Sequence, residues 1–216
     1  MKAILIGASG LIGQHLLQEL LADSSVESVK LIGRRSLGLS HPKLSEAIID
    51  FENESAYRDA ISDADTIFCC VGTTQKKVKG DQSAYRKVDY DIPVRAARYA
   101  AAKGFQRYLL VSSVGADPKS SNFYLKLKGE VEAAIAAQSI PSIYFMRPSI
   151  LLGARQESRI GETVGKGVMQ AFSFLLLGGM RRYKPIQGKD VAKAMLRAAK
   201  GSQEGRWVWE YGEMLG

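Results

Sequence analysis

Tyr124 and Lys128 stand four residues apart, and Ser113 lies eleven residues before the tyrosine. At that spacing a helix brings the phenol and the ammonium onto one face. A phenol near pKa 10 is a poor acid or base at neutral pH. A neighbouring ammonium favours the phenolate and lowers that barrier. A serine hydroxyl beside them could bind a carbonyl oxygen and stabilise charge as it develops. The tyrosine would then give or take the proton.

A second constellation lies at the start of the chain. Gly7, Gly10 and Gly13 form the run GASGLIG between a short apolar segment and a helical pattern. Gly7 permits a tight turn, Gly10 lets backbone approach a pyrophosphate, and Gly13 lets helix and strand pack closely. The helix start then presents free N–H groups and a positive dipole end to phosphate. Such a loop after a strand and before a helix is a dinucleotide signature. At the next strand end stand Gly33, Arg34 and Arg35, with no carboxylate to hold a ribose 2′-hydroxyl. Two guanidinium groups suit a 2′-phosphate instead, so the expected cofactor is NADP(H). Asp50 and Phe51 fall where an adenine edge could be held. Gly72 and Thr73, followed by Thr74, fall beside the dinucleotide.

These groups need a scaffold that gathers strand ends. Short apolar runs at 2–6, 29–32, 47–50, 66–71, 107–112 and 143–147 alternate with helical patterns at 11–21, 55–61, 89–102 and 123–137. Near-continuous apolar runs mark parallel strands covered on both faces. The expected fold is α/β: a doubly wound parallel sheet of the Rossmann type with strand order 3-2-1-4-5-6. Asp91 and Pro93 place a capping aspartate and a first-turn proline at or near the start of the 89–102 helix. Past residue 148 the rhythm weakens. A helix over 161–177, another over 189–200 and a late strand at 206–211 are expected. Residues 1–216 therefore read as a single domain, with 149–216 contributing a small lobe for substrate or partner.

The chain has 216 residues and a formal charge of +8, but residues 1–75 carry −4 and residues 76–216 carry +12. A basic surface or an anionic ligand explains that split better than nucleic acid. Lys76, Lys77, Lys79, Arg86 and Lys87 make 73–87 a basic loop at the sheet edge where ligands bind. No apolar run approaches the length that spans a bilayer. Cys69 and Cys70, the only cysteines, suit a reducing, cytoplasmic setting. His15 and His41 have no ligand spacing with them, so no metal is expected.

GASGLIG at 7–13, VSSVGAD at 111–117 and YLKLK at 124–128 resemble the atypical short-chain dehydrogenase/reductases. The stretch 120–132 and LIGRR at 31–35 are similar to the Tat-interactive-protein-like subfamily of NADPH-binding members. The resemblance spans roughly 2–200. It implies cofactor contacts at Gly7, Ser9, Gly10, Leu11, Ile12, Arg34, Arg35, Gly72 and Lys128. It implies a catalytic set of Ser113, Tyr124 and Lys128, with Ser113 preferred over Ser112. Arg147, Pro148 and Ser149 resemble the turn beside the nicotinamide. Where conventional members place a relay asparagine, Asp89 or Asp91 lies instead. The expected activity is hydride transfer to a small carbonyl or quinone-like substrate. The alternative is an NADPH-binding regulator that binds a protein partner with little catalysis. Sugar-nucleotide epimerisation would need a larger C-terminal part.

Overall fold

The computed structural model describes residues 1–74, 78–152 and 178–216. Strand β1 (Lys2–Ile6) sends Ala3 and Leu5 into one apolar cluster and Ile4 and Ile6 into another. That alternation lets one strand hold two helical layers. Helix α1 (Leu11–Ala22) buries Leu16, Leu17 and Leu20 along one stripe. Then follow β2 (Ser28–Gly33), β3 (Leu44–Ile48), α2 (Glu54–Ala60) and β4 (Thr66–Cys69). A helical run comes next: α3 (Gln82–Arg86), a π turn (Lys87–Asp91) and α4 (Ile92–Ala102). Strand β5 (Arg107–Val111), α5 (Phe123–Ala136) and β6 (Ser142–Met146) complete the core pattern. The short strand β7 (Leu151–Leu152), a 3-10 turn (Gly178–Tyr183), the short strand β8 (Ile186–Gln187), α6 (Gly188–Lys200), β9 (Gly205–Trp209) and α7 (Tyr211–Leu215) finish the chain.

The sheet runs β3-β2-β1-β4-β5-β6-β9, and every pair in it is parallel. The expected order is present, with the late strand added beside β6 in the register Ser142 to Gly205. Helices α1 and α6 cover one face, where Leu16, Leu20, Val191 and Met195 meet Leu5, Phe68 and Leu109. On the other face α4 and α5 bring Ala96, Ala97, Val131 and Ile135 to Ile4, Ile67, Leu110 and Phe145.

Three boundaries differ from expectation for physical reasons. Strand β3 begins at Leu44 rather than 47, because as an edge strand it needs only one covered side and pairs Val29 with Leu44. Strand β4 stops at Cys69, where the chain passes against Gly7. The helical run starts at Asp81, whose side chain accepts from the Ser83 and Ala84 amides at 2.8 and 3.1 Å. Asp91 has helical φ and ψ and is not a terminal cap. Pro93 is accommodated because the π turn widens the backbone just before it. A proline there has no N–H and crowds the carbonyl four residues back. The helix expected at 161–177 lies outside the described residues. Among those described, no helix is long and apolar enough to cross a membrane.

Candidate functional site

The glycine loop packs its backbone too closely on neighbouring backbone for side chains at Gly7 or Gly13. Gly7 has φ +88°, and a Cβ on it would stand 2.6 Å from the Cys70 carbonyl carbon. A Cβ on Gly13 would stand 2.1 Å from the Gly7 oxygen. Gly10 donates its N–H to that oxygen at 3.0 Å and caps α1 without any side-chain hydrogen bond. No acidic residue occupies the first turn of α1. Its first N–H groups, which a helix cannot satisfy internally, are therefore available to an anion. The side chains of Leu11 and Ile12 are buried, so only their backbone faces the loop.

Beside the cradle opens a cavity of about 310 Å³, lined by Gly7, Ala8, Ser9, Arg34, Arg35 and Glu46 among others. Arg34 and Arg35 are exposed at the end of β2. Glu46, on neighbouring β3, accepts from the Ser36 hydroxyl and, at 3.0 Å, from the Leu37 N–H. Those two hydrogen bonds hold its carboxyl below the ordinary range. The cavity's carboxylate thus anchors the loop that presents the arginines. The sequence reading missed Glu46. Its signal was the alternation of Leu44, Glu46 and Ile48, which puts it opposite Leu31.

The residues expected further along the edge divide. Asp50 is exposed and accepts the Glu52 N–H at 3.0 Å, as a turn aspartate does. Phe51 is buried edge-on to Tyr57, with ring centroids 4.9 Å apart. Gly72 and Thr73 follow β4, and the Thr73 N–H donates to Asp89 Oδ2 at 2.7 Å. The Pro148 carbonyl accepts from the Val114 N–H at 3.0 Å, joining the turns after β5 and β6.

The two serines have separate tasks. Ser112 is buried and donates to Glu132, which also binds the Arg147 guanidinium through both oxygens. The hydrogen bonds that Arg147 donates to Glu132 raise its pKa further. Ser113 is half-buried, and its hydroxyl has only a long local bond of 3.4 Å to the Val114 carbonyl. Of the pair, Ser113 has the hydroxyl able to turn to a ligand.

Tyr124 and Lys128 occupy one side of α5, whose N-cap Asn122 accepts the Leu125 N–H at 3.1 Å. The Lys128 Nζ lies 5.8 Å from the Tyr124 ring centroid. It is buried and donates to Asp89 Oδ1 at 2.9 Å. Burial pulls the ammonium pKa down. The Asp89 charge, Tyr124, the Asp89 hydrogen bond and Tyr85 together outweigh that, and the net movement is upward. Tyr85 packs edge-on to Tyr124 at 6.5 Å and donates to the Thr73 carbonyl at 3.3 Å. In the basic loop, Arg86 pairs with Glu130 at 2.7 Å and Lys87 with Glu52 at 3.6 Å. Residues 75–77 of that loop, and 168–177 of the expected pocket wall, lie outside the described residues. Cys69 is buried in β4, and burial pushes its thiol up to about 11.

A parallel sheet, a glycine cradle at its first turn and a tyrosine–lysine pair at the carboxyl edge define a nucleotide-binding fold of the dehydrogenase type. The chain belongs to the NAD(P)H-binding family whose profile matches residues 7–202. It is 39% identical over 168 residues to Protein HTATIP2 of Rattus norvegicus, covering 76% of this chain and 69% of that protein. It is 31% identical over 208 residues to Protein FMP52-1, mitochondrial, of Scheffersomyces stipitis, covering 94% and 90%. Among solved structures it is similar to MoeE5 in complex with UDP-glucuronic acid and NAD. There the TM-score is 0.73 at 19% identity, over 96% of this chain and 75% of that one. That likeness shows the fold. With these relatives the chain is an atypical short-chain dehydrogenase/reductase-like protein with an oxidoreductase-type domain. The cytoplasmic expectation is corrected, because fungal relatives carry "mitochondrial" in their names.

Proposed function

We propose that the protein is an NADP(H)-dependent oxidoreductase acting on a small carbonyl or quinone-like substrate. The observation that carries this reading is the buried Lys128 ammonium set against the Tyr124 ring, on the same sheet edge as the glycine cradle. The cradle fits a dinucleotide, since no side chain caps the start of α1 and a cavity of about 310 Å³ opens beside Gly7, Ala8 and Ser9. When bound, the nicotinamide supplies or accepts the hydride.

The chain's own residues do the rest. The N–H groups at the start of α1 bind the pyrophosphate, and Arg34 and Arg35 bind the 2′-phosphate. Gly72, Thr73 and Pro148 border the nicotinamide end. Ser113 donates its hydroxyl hydrogen to the substrate oxygen. Tyr124 passes its phenolic proton to that oxygen during reduction and recovers it from an alcohol during oxidation. Lys128 places positive charge where the phenolate forms. The C-terminal lobe expected from the sequence would supply the substrate pocket.

The test follows NADPH consumption over a panel of aldehydes, ketones and quinones, with Tyr124→Phe as the paired variant. We expect kcat to fall about 10²–10⁴-fold in the variant, with NADPH affinity unchanged. Equal turnover in both proteins would remove Tyr124 from the chemistry. NADPH binding with no turnover of any substrate would favour the other reading, a cofactor-responsive binder of a protein partner.

A further inference from the structure

Ser113 and Tyr124 must reach the same substrate oxygen, yet they stand on different elements. Hydroxyl donors bind an oxygen at about 2.7 Å, and a misplacement of about 1 Å can cost about 10²-fold in rate. The end of β5 therefore needs a fixed position against α5. Glu132 lies on α5, in the same helix as Tyr124 and Lys128, and is only 6% exposed. Three donor groups engage it. Ser112 Oγ and Arg147 Nε donate to Oε1, the arginine at 3.0 Å, and Arg147 Nη2 donates to Oε2. Ser112 directly follows β5 and Arg147 directly follows β6. One carboxylate thus gathers two strand ends and the helix that bears Tyr124.

The backbone on both sides of Ser113 is pinned within the same cluster. The Ser112 N–H donates to the Met146 carbonyl at 2.7 Å and the Val114 N–H to the Pro148 carbonyl at 3.0 Å. The far end of this loop meets α5 through backbone. There the Asp117 N–H donates to the Leu125 carbonyl at 3.1 Å, and a Cβ on Gly129 would stand 2.2 Å from the Pro118 nitrogen. The near end, with Ser113, is tied to α5 through the Glu132 side chain. A largely buried ion pair such as Arg147–Glu132 is a poor source of stability, because desolvation offsets much of its attraction. It is well suited to fixing geometry, since two parallel N–H···O bonds set both distance and direction.

We propose that Glu132 is a positioning residue for Ser113. Its carboxylate, gripped by the Arg147 fork, takes the Ser112 hydroxyl and so fixes the neighbouring Ser113 within reach of the oxygen that Tyr124 protonates. The role in catalysis rests on the oxidoreductase reading; the hold on the backbone around Ser113 does not. Ser112→Ala removes the link to β5 and leaves the ion pair whole. Glu132→Gln keeps the shape but replaces one acceptor oxygen with an NH₂ group, so it cannot serve all three donors.

The experiment is a double-mutant cycle in the NADPH-dependent reductase assay on the full-length protein. Ser112→Ala and Glu132→Gln are each measured with Ser113 intact and again in Ser113→Ala. With Ser113 intact, we expect Ser112→Ala to lower kcat about tenfold and Glu132→Gln about 10²-fold, with NADPH affinity unchanged. In the Ser113→Ala background each should cost less than about twofold, because the hydroxyl it positions is gone. A cost of the same factor in both backgrounds overturns the proposal, since general loosening of the fold would act with or without that hydroxyl. So does an unchanged kcat in Ser112→Ala, the variant that decides the matter if Glu132→Gln fails to fold. Amide hydrogen exchange followed by NMR reads the hold without any chemistry. The Val114 N–H should exchange about tenfold faster in Ser112→Ala, as loss of one hydrogen bond allows, while the Leu5 amide in the central strand keeps its rate. Unchanged exchange at Val114 overturns the proposal. Absence of turnover in the wild type would reject the oxidoreductase reading, and the exchange rates would still decide whether Glu132 holds the backbone around Ser113.

Discussion

Arg34 and Arg35 are two exposed guanidinium groups at one rim of the cavity beside the glycine loop. Glu46 lines the same cavity, but Ser36 and Leu37 occupy its oxygens, so it is spent on loop shape. A ribose 2′-hydroxyl would find no uncommitted carboxylate at that rim, whereas a 2′-phosphate would find two cations. We expect calorimetry to give tighter binding of NADPH than of NADH. Arg34→Ala and Arg35→Ala should each weaken NADPH binding about tenfold, as loss of a charge-assisted hydrogen bond does, and leave NADH nearly unchanged. Equal wild-type affinities would dismiss the 2′-phosphate site. At this scale the sequence was legible where chemistry restricts residue type, as in the glycines and the Tyr124–Lys128 spacing. It was not legible where tertiary partners decide. Ser112 and Ser113 are neighbours of identical chemistry, and only the position of Glu132 on α5 separates the buried one from the available one. Asp89 stood out by region, but its engagement with Lys128 depends on a turn that no short pattern announces.

Elements were legible through hydrophobic rhythm and less so at their ends. The six expected strands occur in the expected order; β1, β4, β5 and β6 carry continuous buried runs, whereas β2 is interrupted at Lys30 and the edge strand β3 has no fully buried residue. The ends depend on close approaches. Strand β4 stops where its carboxyl side meets Gly7, and the helical run before β5 starts early, at Gln82, because a π turn lets Pro93 sit inside a longer run. Two buried phenols reinforce that run: Tyr57 donates to the Ile92 carbonyl at 2.9 Å and Tyr108 to the Pro93 carbonyl at 2.7 Å. Packing of the first helix on the first strand gives a test whose sign is informative. Alanine is a better helix former than glycine by about 1 kcal/mol, so Gly13→Ala should stabilise an unhindered helix. Here the new methyl would fall 2.1 Å from the Gly7 oxygen and 2.9 Å from the Ala8 Cα, both backbone atoms that cannot swing aside. We expect urea unfolding to show a net loss of about 1–3 kcal/mol, the usual range for overpacking. NADPH binding should be lost with it. A stabilised variant would mean that helix and loop are not held as closely as described.

Across the whole molecule, the C-terminal segment returns to the sheet it follows. Strand β9 pairs with β6, and α6 lies on α1, where Gly188 approaches the Leu11 side chain so closely that a Cβ would stand 2.8 Å from its Cγ. The two helices are also tied at their far ends. Asp23, at the end of α1, accepts from Lys200 at 2.7 Å across 177 residues of sequence and from the Ser25 amide at 2.9 Å. A carboxylate at a helix C-terminus is normally unfavourable, so the partners determine its effect. The Lys200 and Ser25 hydrogen bonds hold the Asp23 pKa well below its ordinary 3.8. A depressed folded pKa adds stability that is complete above the unfolded value and fades as pH falls from there toward the folded one. Lys200 is about half exposed, so solvent screening limits the gain to at most about 1 kcal/mol. Asp23→Asn should therefore lower Tm by roughly 2–4 °C or less at pH 7. The gap between variant and wild type should narrow steadily in scans below about pH 4. A gap of constant size down to pH 3 would show that Asp23 acts through its turn with Ser25 rather than through its charge. The closure of the C-terminal helix on the first would then depend on packing alone.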